Sequence, residues 1–320
     1  MPAEIRSALV IHDQPDDFRA MLEARFPTTR FTFATTPESV APALSDTQPE
    51  AVFSIKQASF PADAHRPAAA HPSVRWVHVG GSGYDHFLPW QRRDLRVTTC
   101  VGVLAPFLAE TVMAGMLALN GNLLRYIEQQ RKAVWQPLAF RPLAGQMLLV
   151  VGLGAIGGFV ADYAKAMGMR VLAIRRQQSP HRSVDEMHPP EAMLDVIGRA
   201  DVVSLHVRLS DETRGLIDAR ALAHCKPGAL LVNTSRGPVV DEAALASALQ
   251  AGQLGGAYLD VFDTEPLPQS SPLWHLPNVL ITPHASDNVG DWPLRLAQVF
   301  ADNLERWRTG QPLINELQIQ

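Results

Sequence analysis

Three polar side chains stand just beyond apolar runs: Arg236 after Ala229–Asn233, Glu265 after Ala257–Phe262 and His284 after Val279–Thr282. A guanidinium grips a carboxylate through two parallel hydrogen bonds. An imidazole gives or takes a proton at a carbonyl oxygen. A carboxylate beside that imidazole fixes its orientation and favours its charged form. If the three runs are parallel strands, all three side chains face one carboxyl edge, where open α/β sheets bind ligands. Beside a hydride carrier, such a set suits carbonyl–alcohol redox chemistry.

A glycine turn supplies the place for such a carrier. Gly152-Leu153-Gly154-Ala155-Ile156-Gly157 fits G-x-G-x-x-G, follows the apolar run Met147–Val151 and opens a helical pattern that lasts to Gly168. Its Gly152, Gly154, Ala155, Ile156 and Gly157 are expected to cradle a dinucleotide pyrophosphate at a helix start. An NAD site usually places an acid about 20 residues on, against the ribose hydroxyls. Here Arg175-Arg176 end the next apolar run, and no acid follows until Asp185. A guanidinium holds a 2′-phosphate that an acid would repel. NADP(H) is therefore the expected cofactor, with NAD(H) the alternative. The same two arginines also read as an ordinary solvated strand end.

These side chains need a frame, and the pattern provides one. Ser7–Ile11, Phe31–Ala34, Ala51–Ile55 and Val74–Val79 read as strands, with a helix at Asp16–Phe26. A second series reads Met147–Val151, Val171–Ile174, Val202–Val207 and the three runs named first, with a helix at Glu242–Ala251. Between the series lie an apolar helix over 105–124 and a polar loop over Arg131–Gly145. A last helix, Trp292–Arg308, stops at Gly310. This alternation predicts an α/β fold of two doubly wound parallel sheets.

Composition narrows the function classes. The chain has 320 residues, a length that suits two domains, and a formal net charge of −4. That charge leaves no basic footprint for nucleic acid. No apolar run approaches the roughly 20 residues of a membrane helix. The stretch Met1–Arg6 lacks the start of a signal peptide, so a cytoplasmic location is expected. Two cysteines, Cys100 and Cys225, exclude a disulfide framework and a Cys-rich zinc module. None of the 11 histidines has HExxH or CxxC company, so no metal site is expected. Gly80-Gly81-Ser82-Gly83-Tyr84 fails the nucleophile-elbow pattern at Tyr84.

Taken together, Leu231–Gly237, Gly256–Phe262, Glu265-Pro266-Leu267, Pro272-Leu273-Trp274 and Ile281–Ala285 resemble the D-isomer-specific 2-hydroxyacid dehydrogenase family. His206-Val207, Glu212–Ile217 and Gly102–Pro106 with Glu110 fit the same pattern. The resemblance covers nearly the whole chain, most specifically 145–285. It implies that Arg236 binds the substrate carboxylate and carbonyl, that His284 is the acid/base and that Glu265 is its partner. It implies backbone donors from Gly81, Ser82 and Gly83, and cofactor contacts at His206, Val207, Thr213, Thr234, Ser235 and Asp260. It also implies a discontinuous, flavodoxin-like substrate domain over 1–102 and 289–320, and a Rossmann domain over 103–288. The site would lie in the cleft, with hinge closure excluding water.

Gln129-Gln130 and Trp135–Leu138 resemble the segment that precedes the cofactor domain in NADPH-dependent glyoxylate/hydroxypyruvate reductases. In those enzymes an equivalent Trp lies near the substrate, in some cases from the partner subunit. Tyr84 stands where the family commonly has a small aliphatic residue. Tyr84 and Trp135 are accordingly expected substrate contacts, although ordinary packing accounts for either equally well. The expectation is a homodimer that reduces glyoxylate or hydroxypyruvate with NADPH to the D-2-hydroxy acid. Two alternatives stand. One is an NAD-dependent dehydrogenase of another D-2-hydroxyacid, such as lactate or phosphoglycerate, which Arg175-Arg176 disfavour. The other is a non-catalytic dinucleotide-sensing binding protein, which the intact Arg236, Glu265 and His284 disfavour.

Overall fold

A computed structural model describes residues 4–55, 59–90, 92–177 and 179–319. Residues 1–3, part of the N-terminal stretch read for a signal, lie outside the described residues. The chain divides into two compact units, Met1–Leu104 with Val289–Gln320, and Ala105–Asn288.

The first unit opens with β1 Ser7–Ile11, α1 Asp16–Arg25, β2 Arg30–Ala34, α2 Pro37–Thr47, β3 Ala51–Ser54, α3 Ala62–Ala70, β4 Trp76–Val79 and β5 Arg96–Thr99. Every residue of β3 and β4 is buried, as expected of parallel strands covered on both faces. The five strands pair in parallel in the order β2-β1-β3-β4-β5, the flavodoxin-like arrangement.

The second unit contains α4 Ala105–Asn120, α5 Leu123–Arg131, β6 Met147–Val151, α6 Ala155–Ala166, β7 Arg170–Ile174, β8 Glu186–His188 and α7 Met193–Ile197. It continues with β9 Val202–Leu205, α8 Ala219–His224, β10 Ala229–Asn233, α9 Glu242–Gln250, β11 Leu254–Leu259 and β12 Val279–Ile281. The chain then returns to the first unit as α10 Trp292–Thr309 and β13 Glu316–Leu317, which pairs antiparallel with β5. Gly310 closes α10 at φ 71°, the left-handed stop expected of a C-terminal glycine.

All seven strands of the second sheet are parallel, in the order β8-β7-β6-β9-β10-β11-β12. This is the Rossmann order with one strand added. Alternation along β6 divides the core. Leu148 and Val150 join Val112 and Met116 of α4 and Val160 and Ala164 of α6 on one face. Leu149 and Val151 join Leu205, Leu231, Leu245 and Leu249 on the other. Because every strand runs the same way, the loops after β6, β7, β9, β10, β11 and β12 gather at one edge.

The helix expected over 105–124 stops at Asn120. Asn122 takes φ 57°, and the axis turns by 62° into α5. α5 overlaps only the start of the expected loop. None of its residues is buried: Leu123, Tyr126 and Ile127 are exposed and Leu124 is half-buried, so no core-facing stripe marks it in the sequence. The short strands β5, β8 and β13 are too polar to read as apolar runs. β11 begins and ends three residues earlier than expected, since Gly255-Gly256 hid its start, and Asp260 thus falls in the following loop. No single helix among the described residues is long and apolar enough to cross a membrane.

Candidate active site

The loop after β10 is organised by Asn233, which is 1% exposed. Its Oδ1 accepts from Ser235 N at 3.0 Å and from Ser235 Oγ at 2.7 Å. Its Nδ2 donates to Arg236 O at 3.1 Å. The side chain thus folds the turn around itself, as Asn commonly does. Arg236 leaves this turn half-buried, with Nη1 donating to Ser235 O at 2.7 Å. Only glycine fits next: a Cβ on Gly237 would lie 1.9 Å from Phe262 C. That close approach brings the β10 and β11 loops together.

His284 and Glu265 meet as the sequence implied. Their Nδ1 and Oε2 are 2.8 Å apart, and Glu265 Oε1 accepts from Phe262 N at 3.1 Å. The side chains are 38% and 34% exposed, so the pair remains open to a small molecule. With Nδ1 facing the carboxylate, Nε2 is the ring nitrogen available for proton transfer. His284 sits at φ 51°, a left-handed conformation that costs a non-glycine residue about 1–2 kcal/mol. Asp260 supplies the compensation. Its backbone O accepts from His284 N at 2.8 Å. Its carboxylate, 1% exposed, accepts from Thr282 Oγ1 at 2.5 Å, Ala285 N at 2.9 Å, Ser286 N at 3.2 Å and Ser286 Oγ at 2.6 Å. Those four bonds fill the acceptor positions of a carboxylate. Asp260, expected on the cofactor, here holds the loop that carries His284. Asp287 lies in the same field: burial chiefly raises its pKa, His284 and Arg236 lower it, and Asp260 raises it.

The glycine turn passes a direct test of fit for a dinucleotide. Gly152 takes φ 96°, and a Cβ there would lie 2.7 Å from His206 O. A Cβ on Gly157 would lie 2.3 Å from Gly152 O, so the helix start packs tightly on the strand end. At Gly154 a Cβ would meet no protein atom within 4 Å, which leaves room for a pyrophosphate. His206 Nδ1 and Thr234 Oγ1, both buried on this edge, have no hydrogen-bond partner among the described residues. Burial pushes the His206 pKa down to about 3, so its ring is neutral, and its Nε2 lies 2.8 Å from Ser204 Oγ. Val207 flanks the turn. Ser235 Oγ is committed to Asn233, and Thr213 Oγ1 donates to Arg208 O at 2.6 Å, so both side chains brace their own loops. Arg175 Nη1 donates to Ser179 Oγ at 2.8 Å, and Arg176 lies 3.5 Å from Glu212.

In the first unit, Gly81 N–H donates to Val79 O at 2.9 Å and is already engaged. The Ser82 and Gly83 amides have no backbone partner among the described residues. Tyr84 packs with its ring centroid 6.1 Å from that of Trp90, beside an apolar cluster. Trp135 is 99% exposed. The sequence reading missed Asn233 and the holding role of Asp260. An Asn at a strand end before a turn was the available signal for the first. The second depends on partners more than twenty residues away and left no local signal.

A parallel sheet of this order, with a glycine turn at its first strand and an Arg and a Glu–His pair on the same edge, defines a dinucleotide-dependent oxidoreductase. Residues 113–286 match the family described as D-isomer specific 2-hydroxyacid dehydrogenase, NAD binding domain. The chain is 37% identical over 262 residues to a glyoxylate reductase of Korarchaeum cryptofilum, covering 78% of each protein. It resembles a D-isomer specific 2-hydroxyacid dehydrogenase family protein of Aeromonas salmonicida at TM-score 0.87 and 32% identity, over 99% of this chain and 100% of that one. It also resembles an NADPH-dependent glyoxylate/hydroxypyruvate reductase of Sinorhizobium meliloti, solved with NADP and sulfate, at TM-score 0.83 and 25% identity over 98% of each. The chain belongs to the D-isomer-specific 2-hydroxyacid dehydrogenase family, and is an NAD(P)-dependent enzyme of that kind.

Proposed function

We propose that this enzyme reduces glyoxylate or hydroxypyruvate to the 2-hydroxy acid and prefers NADPH. The observation that carries the cofactor preference is Arg175-Arg176 beyond β7, with no carboxylate in the chain until Asp185. Asp185 is itself committed to Lys165 Nζ at 2.5 Å and Val171 N at 2.8 Å. Gly152, Gly154, Ala155, Ile156 and Gly157 would hold the pyrophosphate, with His206, Val207, Thr213, Thr234 and Ser235 lining the rest of the cofactor's path. When bound, the reduced nicotinamide supplies hydride to the carbonyl carbon. Arg236 grips the substrate carboxylate and polarises the adjacent carbonyl. Protonated His284 delivers its Nε2 proton to the carbonyl oxygen, and Glu265 holds the ring by Nδ1 and balances its charge. Ser82 and Gly83 add amide donors to the carboxylate. The similarity to reductases named for glyoxylate and hydroxypyruvate supports the substrate class.

The functional form is a homodimer that buries the exposed apolar residues of 123–140, Leu123, Ile127, Val134, Trp135 and Phe140, and carries Trp135 toward the partner's site. Sedimentation of Ile127→Glu with Trp135→Ala should show a shift toward monomer. Two free cysteines, both buried, suit a reducing cytoplasm. The deciding experiment is a panel of 2-oxo acids with NADPH and with NADH, followed by loss of reduced-nicotinamide absorbance. Glyoxylate and hydroxypyruvate with NADPH should turn over fastest. Equal efficiency with the two cofactors would remove the cofactor preference. Faster reduction of pyruvate or a phosphorylated 2-oxo acid would move the substrate assignment.

A further inference from the structure

Arg176 is already engaged by an anion of its own chain. Its Nη2 lies 3.5 Å from Glu212 Oε2, with the two side chains 72% and 68% exposed. Glu212 comes from the turn beyond β9, and Arg176 from the loop beyond β7. Since β6 lies between those strands, the pair links the loops on either side of the strand that carries the glycine turn. The turn is braced from within. Ser210 Oγ donates to Glu212 Oε2 at 2.6 Å, and Ser210 N donates to Thr213 Oγ1 at 2.8 Å. The carboxylate is therefore held beside the guanidinium by its own loop. The Ser210 hydroxyl, and after it the Glu212 amide and Arg176, keep its pKa below the usual value, so it stays anionic at neutral pH.

We propose that Glu212 is a specificity-determining residue that competes with the cofactor's 2′-phosphate for Arg176 and so limits discrimination of NADPH from NADH. This rests on Arg175-Arg176 being the phosphate site. A phosphate monoester brings about −1.5 to −2 charges at neutral pH. On reaching Arg176 it meets the fixed charge of Glu212. The exposed ion pair is weak, so the phosphate wins the guanidinium, but it must break that pair and bear the remaining repulsion. NADH carries no 2′-phosphate and meets no such opposition.

The test is calorimetric titration of 2′,5′-ADP and of ADP into the unmodified enzyme, Glu212→Gln, Arg176→Ala and Glu212→Gln/Arg176→Ala at low ionic strength. Glu212→Gln should tighten 2′,5′-ADP about two- to fivefold, the scale of an exposed charge pair. ADP should change little, and the gain should vanish in the Arg176→Ala background. The ratio of kcat/KM for NADPH over NADH should rise by the same factor. Unchanged or weaker 2′,5′-ADP binding in Glu212→Gln would overturn the proposal, weaker binding meaning that Glu212 orders Arg176 for the phosphate. Arg175→Ala/Arg176→Ala separates the two failures. If it binds 2′,5′-ADP like the unmodified enzyme, the phosphate-site reading has failed. If it binds weakly while Glu212→Gln changes nothing, only the competition has failed.

Discussion

At the scale of single residues, the proposed reaction divides the work between grip, assigned to Arg236, and proton transfer, assigned to the Glu265–His284 pair. Arg236→Lys keeps a positive charge but loses the planar two-pronged hold on a carboxylate. Turnover should fall well below that of the unmodified enzyme, with NADPH affinity by fluorescence titration nearly unchanged. Near-normal turnover in Arg236→Ala would place the carboxylate clamp elsewhere. General acid help is typically worth about 10²–10⁴-fold, so His284→Ala should lose turnover on that scale while still binding cofactor. Glu265→Gln keeps a partner for Nδ1 but not its charge, and should fall between the two. Equal rates for Glu265→Gln and the unmodified enzyme would reduce Glu265 to an orienting role. These three residues were legible because each is a polar side chain just beyond an apolar run. Arg175 and Arg176 stand out in the sequence through what they replace, since an NAD site usually has an acid at that strand end.

At the scale of elements, the parallel direction of β10, β11 and β12 puts the three side chains on one edge, and the Asp260 network sets the His284 loop. That loop carries a left-handed His284 and is held by four hydrogen bonds to one buried carboxylate. Asp260→Ala would leave those donors without their acceptor, at roughly 1–3 kcal/mol for each that stays buried. The expected result is a lower melting temperature together with a loss of kcat larger than any change in cofactor Kd. Loss of cofactor affinity with kcat preserved would return Asp260 to the cofactor. The β-strands were the most legible elements, because strands covered on both faces need continuous apolar runs. Several elements were less legible, α5, β5, β8 and β11 among them. α5 has apolar residues that are mostly exposed, β5 and β8 are short and polar, and β11 has Gly255-Gly256 just after its first residue. In each case the missing information is what packs against the segment, which no local pattern contains.

At the scale of the whole molecule, burial of one acid couples stability to pH. Asp287 follows the His284 loop, and its pKa is raised chiefly by burial, with Asp260 adding to the rise and His284 and Arg236 opposing it. A raised folded-state pKa means that the folded protein holds this proton at pH values where the unfolded chain has released it. The resulting stability is fully present below the ordinary carboxylate value and is lost as pH rises through the raised one. Wherever the folded protein ionises Asp287, it bears a poorly solvated charge. Asp287→Asn keeps the shape without the charge. It should melt higher than the unmodified enzyme at neutral pH, and the gap should close as pH falls through the carboxylate range. An ordinary surface substitution moves stability by no more than about 0.5 kcal/mol, so a larger gain that disappears in acid identifies the desolvated charge. Calorimetric melting of the two proteins across that range is the measurement. A gap independent of pH would show that Asp287 carries no such penalty, and that His284 and Arg236 solvate it fully.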